Sequence, residues 1–493
     1  MPKLDRFFSG LAPWALTALL IAPGPALSQA APAQPVAVQK QDSEVQRLYT
    51  LAHRDQLWTP ALVGQLKQVL AGANRHGLDD TRLANPELSD DMALSRAALA
   101  YADALANGAV DPENGHGIFT LNRNHVDVAG GLSKALASGN IVRWFNALAP
   151  GDPEYRALSD AYVRERSRMG EEGPPVAAGG LIHAGSKDKR VPAIAARLND
   201  AGYLDDAAAS GAAYGPPMVD AVKRLQKDNG LRVDGVIGAA TLQAINAGPA
   251  QRARTLAVNL ERRRWLTRNP PATRIDVNTA AAELTLFQDG NITDQRRVIV
   301  GQPGHETPMI EASFGQLVVN PPWNVPSSIA AAEIFPKGSA YLAKHDMYIK
   351  DGRVIQRPGP QSALGKVKFD MRDPYAIYLH DTPAKTLFDS AERHLSHGCV
   401  RVADAVGLAQ IIAGMTNATD DLNAKLATDD THTVALDRDI PVRLIYETAY
   451  VKDGAVRFVP DAYGWDDALA QQMGLGPVHP EAPLAREPGD AGP

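Results

Sequence analysis

The chain reads as a multidomain α+β protein: a helical block, a small three-helix unit, and a mostly-β domain interrupted by an insertion. Three observations predict this. Its 493 residues exceed what one hydrophobic core usually organises and point to about three domains. Apolar residues recur at helical spacing as far as Leu266. From Thr273 onward the pattern changes to alternating runs separated by turn residues.

Composition narrows the class. Hydrophobic residues make up 45% and charged residues 22%, as in ordinary globular protein. Lys and Arg number 50 against 56 Asp and Glu, so the net charge is −6. With aromatics at 6%, neither charge nor stacking surface suggests a nucleic-acid partner. A single cysteine, Cys399, excludes an intramolecular disulfide.

At the N-terminus, Lys3 and Arg6 precede an apolar run from Phe7 to Ala22, followed by the small residues Ala26, Ser28 and Ala30. Residues 1–28 read as a secretory signal, which implies export. The alternative is an uncleaved N-terminal anchor, the one membrane attachment the sequence offers. Residues 29–42 are rich in Pro, Ala and Gln and read as a linker.

Residues 43–180 form the helical block. Leu62, Val63, Leu66, Val69 and Leu70 share one face, as do Leu94, Ala98, Tyr101 and Leu105, with Gly77 and Gly108 as stops. A further helix is expected near Glu154–Ser167, after Asp152-Pro153. Residues 187–247 hold three more helices, the second ending "RLQKDNGL" and the third introduced by the turn Asp234-Gly235-x-x-Gly238. This stretch resembles the three-helix peptidoglycan-binding domain, with Leu225 where that family often has Phe. Next comes "QRARTLAVNLERRRWL" (251–266), whose Arg252, Arg254, Arg262, Arg263 and Arg264 read as a solvated basic face.

The mostly-β domain spans 251–462. Strands are expected at "TRIDVN", "ELTLFQ", "DQRRVIVG", "FGQLVVN", "PYAIYLH", "VRLIYETAYV" and "AVRFVP", and a helix at "ADAVGLAQIIAGM" (403–415). Residues 325–364 form an insertion of mixed helix and loop, placed as a lid. Residues 476–493 read as a Pro-rich disordered tail.

The chemistry concentrates in "YLHDTPAKTLFDSAERHLSHGCVRV" (378–402). A thiol becomes a strong nucleophile on losing its proton, and a nearby imidazole takes it. His380 and His397 flank the sole cysteine in sequence, which leads to the expectation of a lowered thiol pKa. Gly398 permits a tight turn whose N–H groups could converge as an oxyanion hole.

This segment resembles the catalytic motif of L,D-transpeptidases of the YkuD type: His, a spacer of fifteen residues here, then Ser396-His397-Gly398-Cys399-Val400-Arg401. "NPPWNVPSSIA", "RPGPQSALGKVKF" and "LAPGDPEYRAL" resemble segments of the large periplasmic subgroup that has a helical scaffold domain, although Ser362 stands where the family commonly has Asn. The resemblance implies that Cys399 is the nucleophile and that His380, oriented by the Asp381 carbonyl, is the general base and then acid. It implies that His397, Gly398 and Cys399 supply oxyanion N–H groups and that Ser396 shapes the loop. Arg401, Tyr378 and Trp323 would bind substrate, with an ion pair or core packing as the plainer readings. The implied partners are peptidoglycan stem peptides and glycan, with carbapenems as inhibitors and no metal or other cofactor.

Other readings stay open. His380, His394, His397 and Cys399 could ligate a metal, though their spacing matches no usual zinc pattern. A papain-like protease would place its His downstream of Cys. A non-catalytic wall-binding protein would need no Cys/His pair. Within the enzyme class, the motif does not choose between a stem amine, water, a lipoprotein lysine or a D-amino acid as acceptor.

Overall fold

The computed structural model describes residues 36–476 apart from 115–116, 171–172, 207 and 209–212. The signal, the start of the linker and residues 477–493 of the tail lie outside the described residues. Among those described, no helix is long and apolar enough to cross a membrane.

Six helices build the first module: α1 (Val36–Ala52), α2 (Pro60–Ala71), α3 (Asp91–Asn107), α4 (Val128–Ser138), α5 (Ile141–Asn146) and α6 (Pro153–Ser167). α1 starts inside the segment read as linker, because Ala, Gln and Lys there continue a helix that buries Val45 and Leu48. Side chains cap several of these helices. Thr59, Asp90 and Asp152 accept from Leu62, Ala93 and Tyr155 N–H at the starts of α2, α3 and α6. The second module is α7 (Val191–Asp200), α8 (Pro216–Asp228) and α9 (Ala239–Asn246) around its own core. Buried Gln226 ties α8 to the Asp234-Gly235 turn, accepting from Gly235 N–H and donating to Asp234 and the Val236 carbonyl.

α10 (Pro249–Trp265) overturns the expectation of a solvated basic face. Arg262 is 1% exposed and Arg264 fully buried. Arg262 bonds Asp466 at 2.5 Å. Arg264 bonds Glu261 at 2.6 Å, the His76 carbonyl at 2.7 Å and the Tyr155 hydroxyl at 3.0 Å. Arg263 meets Asp152 and Glu447, each at 3.0 Å, and Glu154. Apart from Glu261 on α10 itself, these carboxylates come from the start of α6 and from residues beyond 440, where the charge pattern of the helix could not reveal them.

The third module begins with β1 (Arg274–Asn278), β2 (Glu283–Gln288), β3 (Asn291–Gly301) and β4 (Glu311–Val319). The insertion follows. β5 (Trp323–Asn324) leads into it, and it contains α11 (Ser327–Ile329), α12 (Gly338–Lys344), β6 (Met347–Lys350) and β7 (Arg353–Gln356). β5, β7 and β6 form a three-stranded sheet where the sequence pattern predicts mixed helix and loop. The main sheet resumes with β8 (Val367–Phe369), β9 (Leu379–His380), β10 (His394–Ser396), β11 (Val400–Val402) and β12 (His432–Ile445). Eight strands pair in a closed ring, β3-β11-β9-β8-β4-β12-β1-β2, with β2 returning to β3 and β10 added in parallel beside β3. Closure leaves few open edges.

The strand expected over "PYAIYLH" shrinks to Leu379–His380, because Asp373 captures the N–H groups of Tyr375 and Ile377 and turns the chain. α13 (Ala405–Met415) and α14 (Thr419–Leu426) pack on the sheet, the latter unanticipated. β13 (Ala449–Lys452) pairs with β14 (Ala455–Phe458), and α15 (Trp465–Met473) ends the described chain. α10, Tyr446, Ala449 and α15 share the core of the helical module, so residues on both sides of the ring of strands belong to that core.

Arg262→Ala is expected to cost about 3–5 kcal/mol by leaving Asp466 buried and unpaired. The check is the unfolding transition in urea followed by tryptophan fluorescence. The paired replacement Arg262→Met with Asp466→Leu should recover most of the loss.

Candidate active site

β9 and β11 are parallel neighbours with Leu379 opposite Val400 and His380 opposite Arg401. Strand alternation sends Leu379, Val400 and Val402 into the core of the sheet. Tyr378, His380, Cys399 and Arg401 therefore share the other face. Two segments nineteen residues apart in sequence become a four-residue patch because their strands lie side by side.

His380 is buried, and its Nδ1 lies 2.6 Å from the Asp381 carbonyl. A carbonyl only accepts, so Nδ1 carries the proton and Nε2 is the basic nitrogen of the neutral ring. Burial, helped by the Arg401 charge, pushes the imidazole pKa down to about 3, so the ring is neutral at physiological pH. The Asp381 carboxylate is occupied elsewhere, with Lys366 N–H and Lys385.

Cys399 is partly exposed, and its thiol donates to the Ala376 carbonyl at 3.7 Å. Ala376 has φ +57°, and this turn sets the carbonyl in place. Burial raises the thiol pKa, while hydrogen bonds with the Tyr378 backbone and phenol and the charge of Lys368 pull the other way. The expectation of a lowered pKa is not met. The resting pair is a neutral thiol beside a neutral imidazole, since burial disfavours charge on either.

Ser396 donates to the Cys399 carbonyl at 2.6 Å and accepts from Gly398 N–H at 3.1 Å, closing the turn on itself. Gly398 has φ +109°, a conformation that suits glycine. Its N–H is thereby engaged by Ser396, which corrects its assignment to the oxyanion hole. His397 points away from this patch, with Nε2 2.6 Å from Glu333 of the insertion and its ring 5.0 Å from His305. Neither partner was singled out from the sequence, and no local signal linked them to His397.

Trp323 is 5% exposed and sits in the small core of the insertion, against which Tyr378 also packs. It backs the site rather than lining an open cleft. Tyr378 is half-buried, with Lys368 over its ring at 4.4 Å and the His380 ring 5.5 Å away. Arg401 is 4% exposed and acts on this face mainly through its charge. His394 is held by Glu392 and the Thr279 carbonyl. Among the described residues, no group of three or more His, Cys, Asp or Glu is arranged to hold a metal ion.

Fold and site together define a mostly-β domain that presents one thiol and one imidazole on a sheet face. Residues 272–429 match the family described as the YkuD L,D-transpeptidase catalytic domain, 43–161 match "Scaffold domain", and 187–245 match "Putative peptidoglycan binding domain". A Haemophilus influenzae protein named "Putative L,D-transpeptidase" is 36% identical over 219 residues. That alignment covers 39% of this chain and 44% of the relative, so the match spans less than half of either. Among solved structures, an L,D-transpeptidase from Stackebrandtia nassauensis aligns at 13% identity over 58% of this chain and all of its own, with a TM-score of 0.24. One from Xylanimonas cellulosilytica aligns at 18% identity over 55% of this chain and all of its own, with a TM-score of 0.18. These superpositions are loose, and the assignment rests on the sequence matches. The chain carries a YkuD-type L,D-transpeptidase catalytic domain joined to scaffold and peptidoglycan-binding-type domains.

The raised thiol pKa makes a pH prediction. Below its pKa the thiolate fraction grows about tenfold per pH unit. Alkylation of Cys399 by iodoacetamide should therefore keep rising past pH 9, without a plateau near neutrality. Tyr378→Phe removes a bond that favours thiolate, so the pKa rises further and alkylation at pH 7.5 slows several-fold. A plateau below pH 7 would contradict the neutral resting pair.

Proposed function

We propose that this protein is a periplasmic, exported L,D-transpeptidase that makes 3→3 crosslinks between peptidoglycan stem peptides through a thioester on Cys399. The observation that carries this reading is the parallel pairing of β9 and β11, which sets the sole thiol and a neutral, Nδ1-protonated imidazole on one face.

Cys399 Sγ attacks the carbonyl between the L-centre of diaminopimelate and the terminal D-alanine of a stem tetrapeptide. His380 Nε2 takes the thiol proton as the S–C bond forms, then gives it to the D-alanine amine as the C–N bond breaks. A low imidazole pKa makes the ring a weak base and its protonated form a strong acid, which suits proton delivery to the leaving amine. The side-chain amine of a second stem attacks the thioester, and Sγ leaves and regains a proton. The three-helix unit holds the enzyme to the wall. The insertion, anchored through Glu333 to His397, covers the acyl-enzyme and keeps water from it.

The test is muropeptide analysis of tetrapeptide-rich sacculi after incubation with the purified protein. Crosslinked dimers that are absent with Cys399→Ala support the reading. Shortened stems alone would make it a carboxypeptidase, and retention on sacculi without any product would make it a wall-binding protein. Carbapenems carry a strained acyl carbonyl, and intact-protein mass spectrometry should show one added drug mass. The adduct should be lost in Cys399→Ala and form at least tenfold more slowly in His380→Ala. Trimming residues 325–364 should raise hydrolysis relative to crosslinking, and an unchanged product ratio with full turnover would remove the lid role.

A further inference from the structure

We infer that Thr307 is a positioning residue for the oxyanion hole and that Tyr463 links it to the core of the helical module. The inference rests on the acyl-transfer reading above. It goes beyond the Cys/His pair to the question of what aims the Cys399 N–H, one of the donors on which that transfer depends.

Thr307 is fully buried. Its hydroxyl donates to the Gly398 carbonyl at 2.8 Å and accepts from Gly301 N–H at 2.8 Å. The Gly398 carbonyl and the Cys399 N–H belong to one peptide unit. In a trans peptide they point in opposite directions from one rigid plane. A donor that pins the carbonyl on the buried side therefore fixes the Cys399 N–H toward the other side, where Sγ meets its acyl donor. The Gly398 N–H is already engaged by Ser396, so the aim of this neighbouring plane carries more weight.

Thr307 is itself held. Tyr463 donates to the Gly301 carbonyl at 2.7 Å and accepts from Thr307 N–H at 3.3 Å. The Tyr463 ring stacks on Tyr446 at 5.2 Å and lies 4.9 Å from Trp465, both packed with the helical core. Gly301 leaves no slack, since a Cβ there would meet the His305 carbonyl at 2.0 Å and Thr307 N at 2.7 Å. A continuous path thus runs from the helical core through Tyr463 and Thr307 to the peptide that precedes the nucleophile.

Two probes separate aim from reactivity. Acetylation by p-nitrophenyl acetate passes through a tetrahedral oxyanion: Sγ bonds the acetyl carbon, p-nitrophenolate leaves and the thiol proton goes to solvent. Alkylation by iodoacetamide builds no oxyanion. Both are read on the full chain as mass added at Cys399, with Cys399→Ala as background. Thr307→Val keeps the shape and removes the hydroxyl. It should slow acetylation about 10- to 100-fold, less than the loss of an oxyanion donor itself, while alkylation stays within about twofold. Thr307→Ser should restore acetylation. Should Thr307→Val fail to fold, Tyr463→Phe gives the same split at about 3- to 10-fold. The inference is overturned if acetylation is unchanged, if both reactions fall together, or if Ser does not rescue. These probes need no peptidoglycan, so a protein that failed the muropeptide test would still answer this one.

Discussion

The pairing of three consecutive arginines on α10, two of them buried, is the constraint on which the rest of the molecule depends. A guanidinium taken out of water is tolerated only where carboxylates and carbonyls meet its donors. Arg262, Arg263 and Arg264 find theirs on α6, on α10 itself and on chain beyond 440. The pairings to α6 and to chain beyond 440 tie those segments to the helix. The ring of strands is consequently bolted to the helical module rather than tethered by a linker, and residues expected to end the β domain close the helical core instead.

The site inherits that rigidity. β9 is two residues long and β11 three, too short to hold register alone. They are flanked by β8 and β3, which belong to the closed ring. A one-residue slip of β11 would turn Cys399 into the core and Val400 to the surface, so the apolar partners of Leu379 and Val400 are what keep the thiol outward. The same enclosure keeps the resting pair neutral. Burial penalises both thiolate and imidazolium, and charge develops only when an acyl donor arrives to receive the sulfur.

The helical modules were legible because their information is local. Apolar residues at 3.6-residue spacing and Gly or Asp-Pro punctuation each act over a turn or two, and α2, α3, α6 and the three-helix unit fall where these signals place them. The strands were legible where alternation is long, as in β1, β2 and β4. They were not legible where a side chain competes with the ladder, as Asp373 does before β9, or where strands are short and bound to their own small sheet, as in the insertion. The N-terminal half of β12 was missed because its exposed polar residues show little alternation.

By itself the sequence determined the chemical inventory: one thiol, a histidine nineteen residues before it, and a glycine poised to turn the chain between Ser396 and Cys399. Those identities are covalent facts, and their order is enough to suggest thiol acyl transfer. Only the tertiary structure decided the protonation state of the pair, the contact of Glu333 with His397, and the fate of the α10 arginines. Each of these depends on which distant groups share a low-dielectric space. A pKa or a buried ion pair is a property of that space, set in large part by segments distant in sequence, and no local pattern records it in full.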